Sequence, residues 1–457
     1  MTLLPHRDPA PGPAAHPSRA GRRDLYAAAA AALLVTAAVL VGRHIQAVHR
    51  TLFVHWPPLF ADWDPHAGPG TPAALAVAAA TVVQGPVLAA RLPWRGLLAA
   101  AWATALAWIV SLALVDGWQR GIAGRLTARE EYLRVIGRFH DIPAALHDFT
   151  RHIVSGTPRP WPAHVAGHPP AATLTFVLLD RIGLRGGGWA GMFCVLVGAS
   201  GCVAVLIAVR ALAGEALARR AAPFTVLAPA AVWQGVSADG YFAAVAAWAL
   251  ALLALALTRR SPWAAAGAGL LSGLTCYLSY GLTLFALVGA VVLLLARREL
   301  RARPVLLLPL FAGLAVVPVV FTLAGFNWWH GYQLLTIRYY QGVGGVRPYG
   351  YWVWANLACA VLITGPATAA GLRRTGAELL RRRTGPRARL ALLVCAALLA
   401  LLAADLSGMS KAETERIWLP FALWLLPACA LLPHPRPWLA AQAVLALLLN
   451  HLLLTGW

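Results

Sequence analysis

The chain has 457 residues, of which 60% are hydrophobic and 12% are charged. That is about half the charged share of a typical soluble domain, so a soluble globular fold is excluded. The formal net charge is +21, but the arginines concentrate in short segments between apolar blocks, as in the cytoplasmic loops of membrane proteins, so nucleic acid is excluded as a partner. The six cysteines lie inside apolar blocks without CxxC spacing, so neither disulfides nor a zinc site are expected.

The first element is a segment rich in proline, alanine and arginine, residues 1–24, which we predict to be a disordered cytoplasmic N-terminus. The rest of the chain, 25–457, is predicted to be a single polytopic membrane domain, because its apolar blocks are long enough to cross a bilayer core of about 30 Å. The fold class is therefore all-α. We predict about thirteen transmembrane helices, at 26–43, 73–90, 96–116, 187–209, 221–236, 240–257, 263–279, 281–296, 304–324, 352–371, 389–405, 417–432 and 437–455.

With the N-terminus inside, this order places every arginine-rich loop on the cytoplasmic face of the membrane. This alternation of loops between the two faces requires that residues 170–183 do not cross the membrane. We predict a juxtamembrane helix there, because the segment is short and ends in Asp180 and Arg181. Most acidic residues then fall outside, so the working site is expected on the outer face of the cytoplasmic (plasma) membrane. The long polar segments predicted to be outside are 44–72, 117–170, 325–351 and 406–416.

Four short motifs follow one another along the chain. The acidic pair Glu130-Glu131 precedes Tyr132, and His168-Pro169-Pro170 opens an apolar helix. "SADGYF", residues 237–242, starts a later span, and "KAETERIWLPF", residues 411–421, leads into another. The order of these motifs resembles the GT-C superfamily of integral-membrane glycosyltransferases, in its protein mannosyltransferase and aminoarabinose-transferase branch.

The resemblance implies that a sugar is moved, with inversion, from a polyprenyl-phosphate donor to an acceptor hydroxyl, with an acid of the first motif as the base. The family's Asp-Glu pair falls on Glu130-Glu131, so a glutamate stands where the family usually has aspartate, and two more spans precede the pair than in the family. The implied partners are the polyprenyl-phosphate-sugar donor, the lipid bilayer and a glycan, lipid or protein acceptor. The resemblance also implies a hexosyl- or pentosyltransferase of the mannosyltransferase-like kind. The composition, which is rich in arginine, alanine, glycine and proline, is typical of a bacterial protein and favours a product of the cell envelope.

The chemistry itself calls for two kinds of group. A hydroxyl that attacks an anomeric carbon needs a base, for which Glu130 and Glu131 are the candidates. A phosphate leaving group needs cations or N–H donors. The candidates for binding phosphate or substrate are His168, Asp239, Arg338, Lys411 and Arg416. Purely structural roles also stay open: a solvated helix face for the glutamates, helix caps for His168 and Asp239, and an interfacial arginine at 416.

Asp62 and Asp64 form a DxD pair that can hold a divalent cation, Mg²⁺ or Mn²⁺, through oxygen ligands. A turn at Asp64-Pro65 accounts for the pair equally well, so the sequence leaves the cofactor open. Two other functions also stay open. One is a lipid or polysaccharide transporter or flippase, which would need polar residues inside the spans, where few occur. The other is a catalytically inactive GT-C-like scaffold subunit.

Overall fold

The structure is a computed structural model that describes residues 19–381 and 384–456. Its helices are α1 (Arg19–His49), α2 (Thr71–Arg91), α3 (Trp94–Ala113), α4 (Ile142–Asp148), α5 (Ala163–Gly167), α6 (Pro170–Arg181), α7 (Gly186–Ala213), α8 (Glu215–Val226), α9 (Ala231–Gln234), α10 (Ala238–Arg259), α11 (Pro262–Leu278), α12 (Phe285–Leu295), α13 (Arg297–Ala302), α14 (Leu307–Leu323), α15 (Trp328–Gln341), α16 (Val343–Val346), α17 (Tyr349–Thr364), α18 (Pro366–Leu380), α19 (Pro386–Leu406), α20 (Thr414–Ile417), α21 (Leu419–Leu425) and α22 (Pro435–Leu452). Two short strands, β1 (Ala61–Trp63) and β2 (Leu453–Thr455), pair antiparallel. The described chain is therefore all-α, as predicted.

Seven helices in the described ranges are long and apolar enough to cross a membrane. They are α1, α2, α3 with the turn that follows it, α7, α10, α14 with the turn that precedes it, and α19. Helices α17 and α18 would together make an eighth span, but they are bent by 108°. The prediction of a polytopic helical membrane protein is confirmed, whereas the predicted count of thirteen spans is not.

Three predicted spans differ from the helices found. The block 221–236 is interrupted after Val226, where Pro229 lacks an N–H and disfavours helix at the residue before it. The block 352–371 turns sharply at Gly365, which has a φ of 81° and precedes a proline. The block 437–455 ends as a helix at Leu452, because its last residues pair with β1 instead. Apolar block length does not show these breaks.

The N-terminal helix begins earlier than predicted. Of the segment 1–24 that was expected to be disordered, residues 1–18 lie outside the described residues, whereas 19–24 are helical. Asp24 is 1% exposed; it lies 2.6 Å from Nη2 of Arg373 and accepts a 2.9 Å hydrogen bond from Nε of Arg374, both on α18. These two arginines stabilise the first turns of α1, which a composition argument does not reveal.

The polar segments predicted to be outside meet at one end of the bundle. The backbone N–H of Phe60 donates to Glu415 (2.9 Å), and that of Ser155 donates to Gln341 (2.9 Å). Arg347 donates to the carbonyl of Leu52 (3.0 Å), which joins a third pair of these segments. Helix α6 packs among them and has 12 residues, too few to cross a bilayer. All four polar segments therefore share one end of the bundle.

The arginine-rich segments meet one another away from these loops. Arg219 on α8 donates to the carbonyl of Leu92 between α2 and α3 (2.9 Å). Arg389 on α19 donates to the carbonyl of Leu212 on α7 (3.4 Å). Guanidinium groups thus bind the carbonyls that are left unpaired where helices end. Which of the two ends faces the cell exterior stays a prediction from the positive charge.

We expect the Asp24→Ala substitution to lower the free energy of unfolding by about 1–3 kcal/mol, because two guanidinium groups lose a charged hydrogen-bond acceptor. The measurement is the thermal unfolding midpoint of the purified protein in detergent. Arg185→Ala is the control, since Arg185 is 76% exposed and lies 3.9 Å from Asp180. Equal midpoints for the two variants would contradict the proposed stabilisation of α1.

Candidate active site

A buried arginine, Arg416, lies at the centre of a polar cluster where the long loops meet. It is 5% exposed. Its Nη1 donates to Oδ2 of Asp239, and its Nη2 lies 3.4 Å from Oε2 of Glu413 and 3.2 Å from Nε2 of His164. The cluster therefore joins α20, the start of α10 and the short helix α5, which are far apart in the chain.

Asp239 is placed by the way α10 begins. Ser237 is the N-cap of the helix, and its hydroxyl accepts a hydrogen bond from the backbone N–H of Gly240 (3.3 Å). The helix-cap role that the sequence left open for Asp239 is filled by Ser237 instead. The carboxylate of Asp239 is left to bind Arg416, and its position in the first helical turn also favours negative charge.

His164 connects Glu131 to Arg416. Its Nδ1 lies 2.8 Å from Oε1 of Glu131, while its Nε2 faces the guanidinium of Arg416. Because a guanidinium only donates, Nε2 accepts from Arg416 and Nδ1 donates to Glu131. Glu131 is 9% exposed, and its second oxygen, Oε2, is buried without a hydrogen-bond partner among the described residues. A buried carboxylate oxygen of this kind is a ready proton acceptor.

Glu130 has a different environment from its neighbour. Its side chain is 49% exposed, and Nε of Arg129 lies 3.7 Å away. Its Oε2 accepts a hydrogen bond from the backbone N–H of Ala163 (2.9 Å), and its carbonyl accepts one from the N–H of His164 (3.2 Å). Glu130 therefore anchors the start of α5 and with it the histidine that contacts Glu131.

His168 lies behind this contact. Its Nδ1 is 2.7 Å from the carbonyl oxygen of His164 and 3.1 Å from the hydroxyl of Tyr132. Burial lowers the pKa of His168 to about 4, so the ring is neutral near pH 7 and brings no positive charge to a phosphate. Pro170 occupies the first turn of α6, where the missing N–H of proline has no consequence. His168 thus supports the cluster from the helix entrance.

Glu413 joins Arg416 to a second buried cation. Arg347 is 5% exposed, and its Nη1 lies 3.3 Å from Oε1 of Glu413 and 2.8 Å from the carbonyl of Lys411. Burial raises the pKa of Glu413, but Arg416 and Arg347 outweigh this effect and hold the pKa below its usual value. Ala412 and Glu413 have φ angles of 70° and 60°, which are uncommon for residues with a side chain and which occur often at functional sites.

The other predicted phosphate-binding residues lie along the neighbouring loop. Lys411 donates from Nζ to the carbonyl of Gly344 (2.9 Å), and its Nζ lies 5.5 Å from the ring centre of Tyr340. Arg338 is half-buried on α15, and no ion pair joins it to a described residue. The structure therefore brings Glu131, His168, Asp239 and Arg416 together, with Lys411 nearby and Arg338 apart from them.

The two aspartates of the predicted DxD pair, Asp62 and Asp64, contact different histidines. Asp62 lies 2.5 Å from Nδ1 of His55, with both side chains more than half exposed. The backbone carbonyl oxygen of Asp64 lies 2.6 Å from Nδ1 of His66. Among residues 19–381 and 384–456, no group of three or more His, Cys, Asp and Glu side chains could hold a metal ion. A bound Mg²⁺ or Mn²⁺ at Asp62 and Asp64 therefore stays a prediction from the sequence.

Several cluster residues were not predicted as site residues. Glu413 lies three positions before Arg416, a spacing that places two side chains on one helical face, so the sequence held a signal for it. His164 lies four positions before His168, but its contact with Glu131 spans 33 positions, so no local signal identifies it. Arg347 stands in an aromatic loop with no local signal, because its partner Glu413 is 66 positions away.

The comparisons with known proteins give a structural likeness without a sequence match. No family model matches the chain, and no curated protein does. Among solved structures, the chain is similar to ArnT from Cupriavidus metallidurans bound to undecaprenyl phosphate, with 18% identity and a TM-score of 0.44 over 70% of this chain and 59% of that one. For the apo state of the same protein the identity is 17% and the TM-score 0.42, over 70% of this chain and 58% of that one.

The chain is also similar to an oligosaccharyltransferase from Archaeoglobus fulgidus tethered with an acceptor peptide. The identity is 14% and the TM-score 0.42, over 73% of this chain and 49% of that one. ArnT and this oligosaccharyltransferase are both GT-C glycosyltransferases. The chain spans less than two thirds of the length of each of these proteins.

We expect Arg416→Gln to lower the free energy of unfolding by about 3–5 kcal/mol, because it leaves the buried carboxylate of Asp239 without its cation. The double substitution Arg416→Gln with Asp239→Asn removes both charges and should recover part of the loss. The unfolding midpoint in detergent checks both. Arg151→Gln is the control, since that side chain is 70% exposed. A double variant no more stable than the single one would argue against a buried ion pair.

Glu415 gives a prediction for pH dependence. It is fully buried, its Oε1 accepts from Phe60, and burial raises its pKa from 4.5 to about 7. Between those values the folded state binds more protons than the unfolded state, so stability falls as pH rises. In Glu415→Gln the amide oxygen still accepts from Phe60, and we expect its unfolding midpoint to fall less between pH 5 and 8 than that of the wild type. Parallel curves would contradict this assignment.

Proposed function

We propose that the protein is a membrane glycosyltransferase that moves a sugar from a polyprenyl-phosphate donor to an acceptor hydroxyl on the outer face of the cytoplasmic membrane. The observation that carries the proposal is Glu131, a buried carboxylate with one oxygen held by His164 and the other without a partner among the described residues. It lies beside Arg416 and at the end of the bundle that holds the long loops. The order of the sequence motifs is consistent with the same chemistry.

Glu131 is the proposed general base, in preference to Glu130. The acceptor hydroxyl transfers its proton to Oε2 of Glu131 as its oxygen attacks the anomeric carbon. The bond from that carbon to the phosphate oxygen breaks, and its electron pair leaves with the lipid phosphate. Attack from the face opposite the phosphate inverts the anomeric configuration. Glu130 is half exposed and already accepts from Ala163, so it is assigned to positioning.

His164 is proposed to be a positioning residue. Its Nδ1–H holds Oε1 of Glu131 at 2.8 Å, which directs Oε2 away from the histidine. Arg416 in turn holds the other ring nitrogen at 3.2 Å. Proton transfer is efficient only when the base lies within hydrogen-bond reach of the hydroxyl, so a carboxylate that cannot rotate is an advantage.

Arg416 and Lys411 are proposed to bind the phosphate of the donor lipid. The guanidinium of Arg416 carries five N–H donors, and the ammonium of Lys411 carries three. Lys411 uses one of these for the carbonyl of Gly344, so the others are available to a phosphate oxygen. Positive charge at this point stabilises the negative charge that develops on the leaving group. Arg338 is kept as a proposed contact for the donor along α15.

The identity of the sugar and of the acceptor is proposed at the level of class. The motifs favour a hexosyl or pentosyl donor of the mannosyltransferase-like kind and a glycan, lipid or protein acceptor in a cell envelope. Inversion, which the resemblance implies, corresponds to direct transfer in one step with the carboxylate acting as a base. Addition of a chelator to the transfer assay tests whether a divalent cation takes part.

We expect Glu131→Gln to reduce transfer by about 10²–10⁴-fold, because the amide cannot accept the proton. Glu130→Gln should keep activity within about tenfold of the wild type. The measurement is transfer from radiolabelled polyprenyl-phosphate mannose, glucose, galactose or arabinose by the protein in detergent.

Asp148→Asn serves as the matched carboxylate control for this assay, since Asp148 is 45% exposed and pairs with Arg151. Full activity in Glu131→Gln would move the base to another acid of the cluster. A folded wild-type protein that releases sugar from none of the four donors would favour the scaffold or transporter function instead.

A further inference from the structure

A pocket lies between the first long loop and the last described residues of the chain. Its volume is about 130 Å³. Two phenylalanine rings, Phe53 and Phe60, line it together with the charged or polar side chains of His55, Asp62 and Arg120. The steps proposed for Glu131 and Arg416 use none of these side chains.

The pocket has a fixed frame. Strands β1 and β2 set Asp62 opposite Leu454, which also lines the pocket. Arg120 donates to the carbonyl of Thr455 (3.2 Å), and its Nε lies 3.5 Å from Asp116. Since both strands and the arginine are hydrogen-bonded to each other, the polar groups are preorganised for a ligand.

The wall of the pocket is bonded to the segment that carries Arg416. The N–H of Phe60, a lining residue, donates to Glu415, the direct neighbour of Arg416. Leu52, next to the lining residue Phe53, accepts from Arg347, which pairs with Glu413. A ligand in the pocket would therefore lie next to the cluster that contains the proposed base.

The lining favours one chemical class. Arg120 repels a simple cation, and Asp62 repels a simple anion, whereas a lipid chain would leave both charges desolvated. A sugar ring presents hydroxyls that donate to a carboxylate and accept from a guanidinium, and its C–H face packs on aromatic rings. The volume is below the roughly 300–1,000 Å³ of pockets for drug-sized ligands, so it suits a single ring.

We propose that this pocket binds a monosaccharide unit, with Asp62 and Arg120 holding its hydroxyls and Phe53 and Phe60 its apolar face. This assignment rests on the proposed function: the pocket is the acceptor subsite of the transferase. The acceptor then ends in a sugar. The pair of Asp62 with His55 at 2.5 Å fixes one carboxylate oxygen and leaves the other for the ligand.

The first test is binding and requires no turnover. Saturation-transfer NMR and calorimetry measure the binding of methyl glycosides of mannose, glucose, galactose and arabinose to the full-length protein in detergent, with EDTA present. We expect the wild type to bind at least one of these glycosides. Asp62→Asn and Phe53→Ala should each weaken binding about tenfold or more, as expected for lost charged hydrogen bonds or ring contacts.

Control variants and competing ligands test whether binding is specific to this pocket and to sugars. Asp148→Asn and Arg151→Gln change an exposed ion pair elsewhere and should bind like the wild type. Glycine and inorganic phosphate are added as competitors, and displacement by either at equal concentration would overturn the assignment to sugar. Absence of binding to all four glycosides, or equal binding by folded Asp62→Asn, would also overturn it.

The second test separates the subsite from the transferase reaction. If transfer occurs, Asp62→Asn should raise the KM for the acceptor about tenfold or more, while the release of sugar from the donor to water is unchanged. A loss of both reactions would contradict an acceptor role for Asp62. If the protein binds a sugar but transfers none, the binding site is supported and the proposed transferase activity is contradicted.

Discussion

The ion pair between Arg416 and Asp239 is the interaction on which the site depends. Each charge is almost fully buried, so neither is stable without the other in a medium of low polarity. Arg416 also contacts His164 and Glu413, and through them it sets the position of Glu131 and Arg347. One guanidinium thus fixes loops that enter from four different parts of the chain. Removal of its charge would disturb every one of these contacts together.

The sequence predicted the class of fold, and several of the residues that it selected lie in one buried cluster. Block length and charge identified an all-α membrane protein, because both signals are local. Motif order brought Glu131, His168, Asp239 and Arg416 into one candidate site, and these residues lie together. The sequence did not separate Glu130 from Glu131, since adjacent residues share every local signal and differ only in their burial.

Arg347 and His164 were missed because their partners are distant in the chain. The breaks at Gly365 and Val226 depend on turns, which apolar block length does not record.

The two ends of the bundle use their charges differently. At the arginine-rich end, guanidinium groups bind helix-end carbonyls and acids, as Arg219 does with Leu92 and Glu215. Contacts with exposed acids are partly hydrated and stabilise only modestly, whereas Asp24 is buried between Arg373 and Arg374. At the loop end, acids and arginines are paired in a buried network that includes residues in left-handed backbone conformations. Burial of paired charges together with strained backbone is costly and occurs often at functional sites, which favours the loop end as the candidate site.

The distance along the chain between the two partners of the central ion pair has a consequence for biogenesis. Asp239 precedes Arg416 by 177 residues, which at about 5–20 residues per second corresponds to roughly 10–35 s of synthesis. During that interval α10 enters the membrane with an aspartate that has no cation to neutralise it. The buried network around Asp239 is therefore complete only after residue 416 has been synthesised.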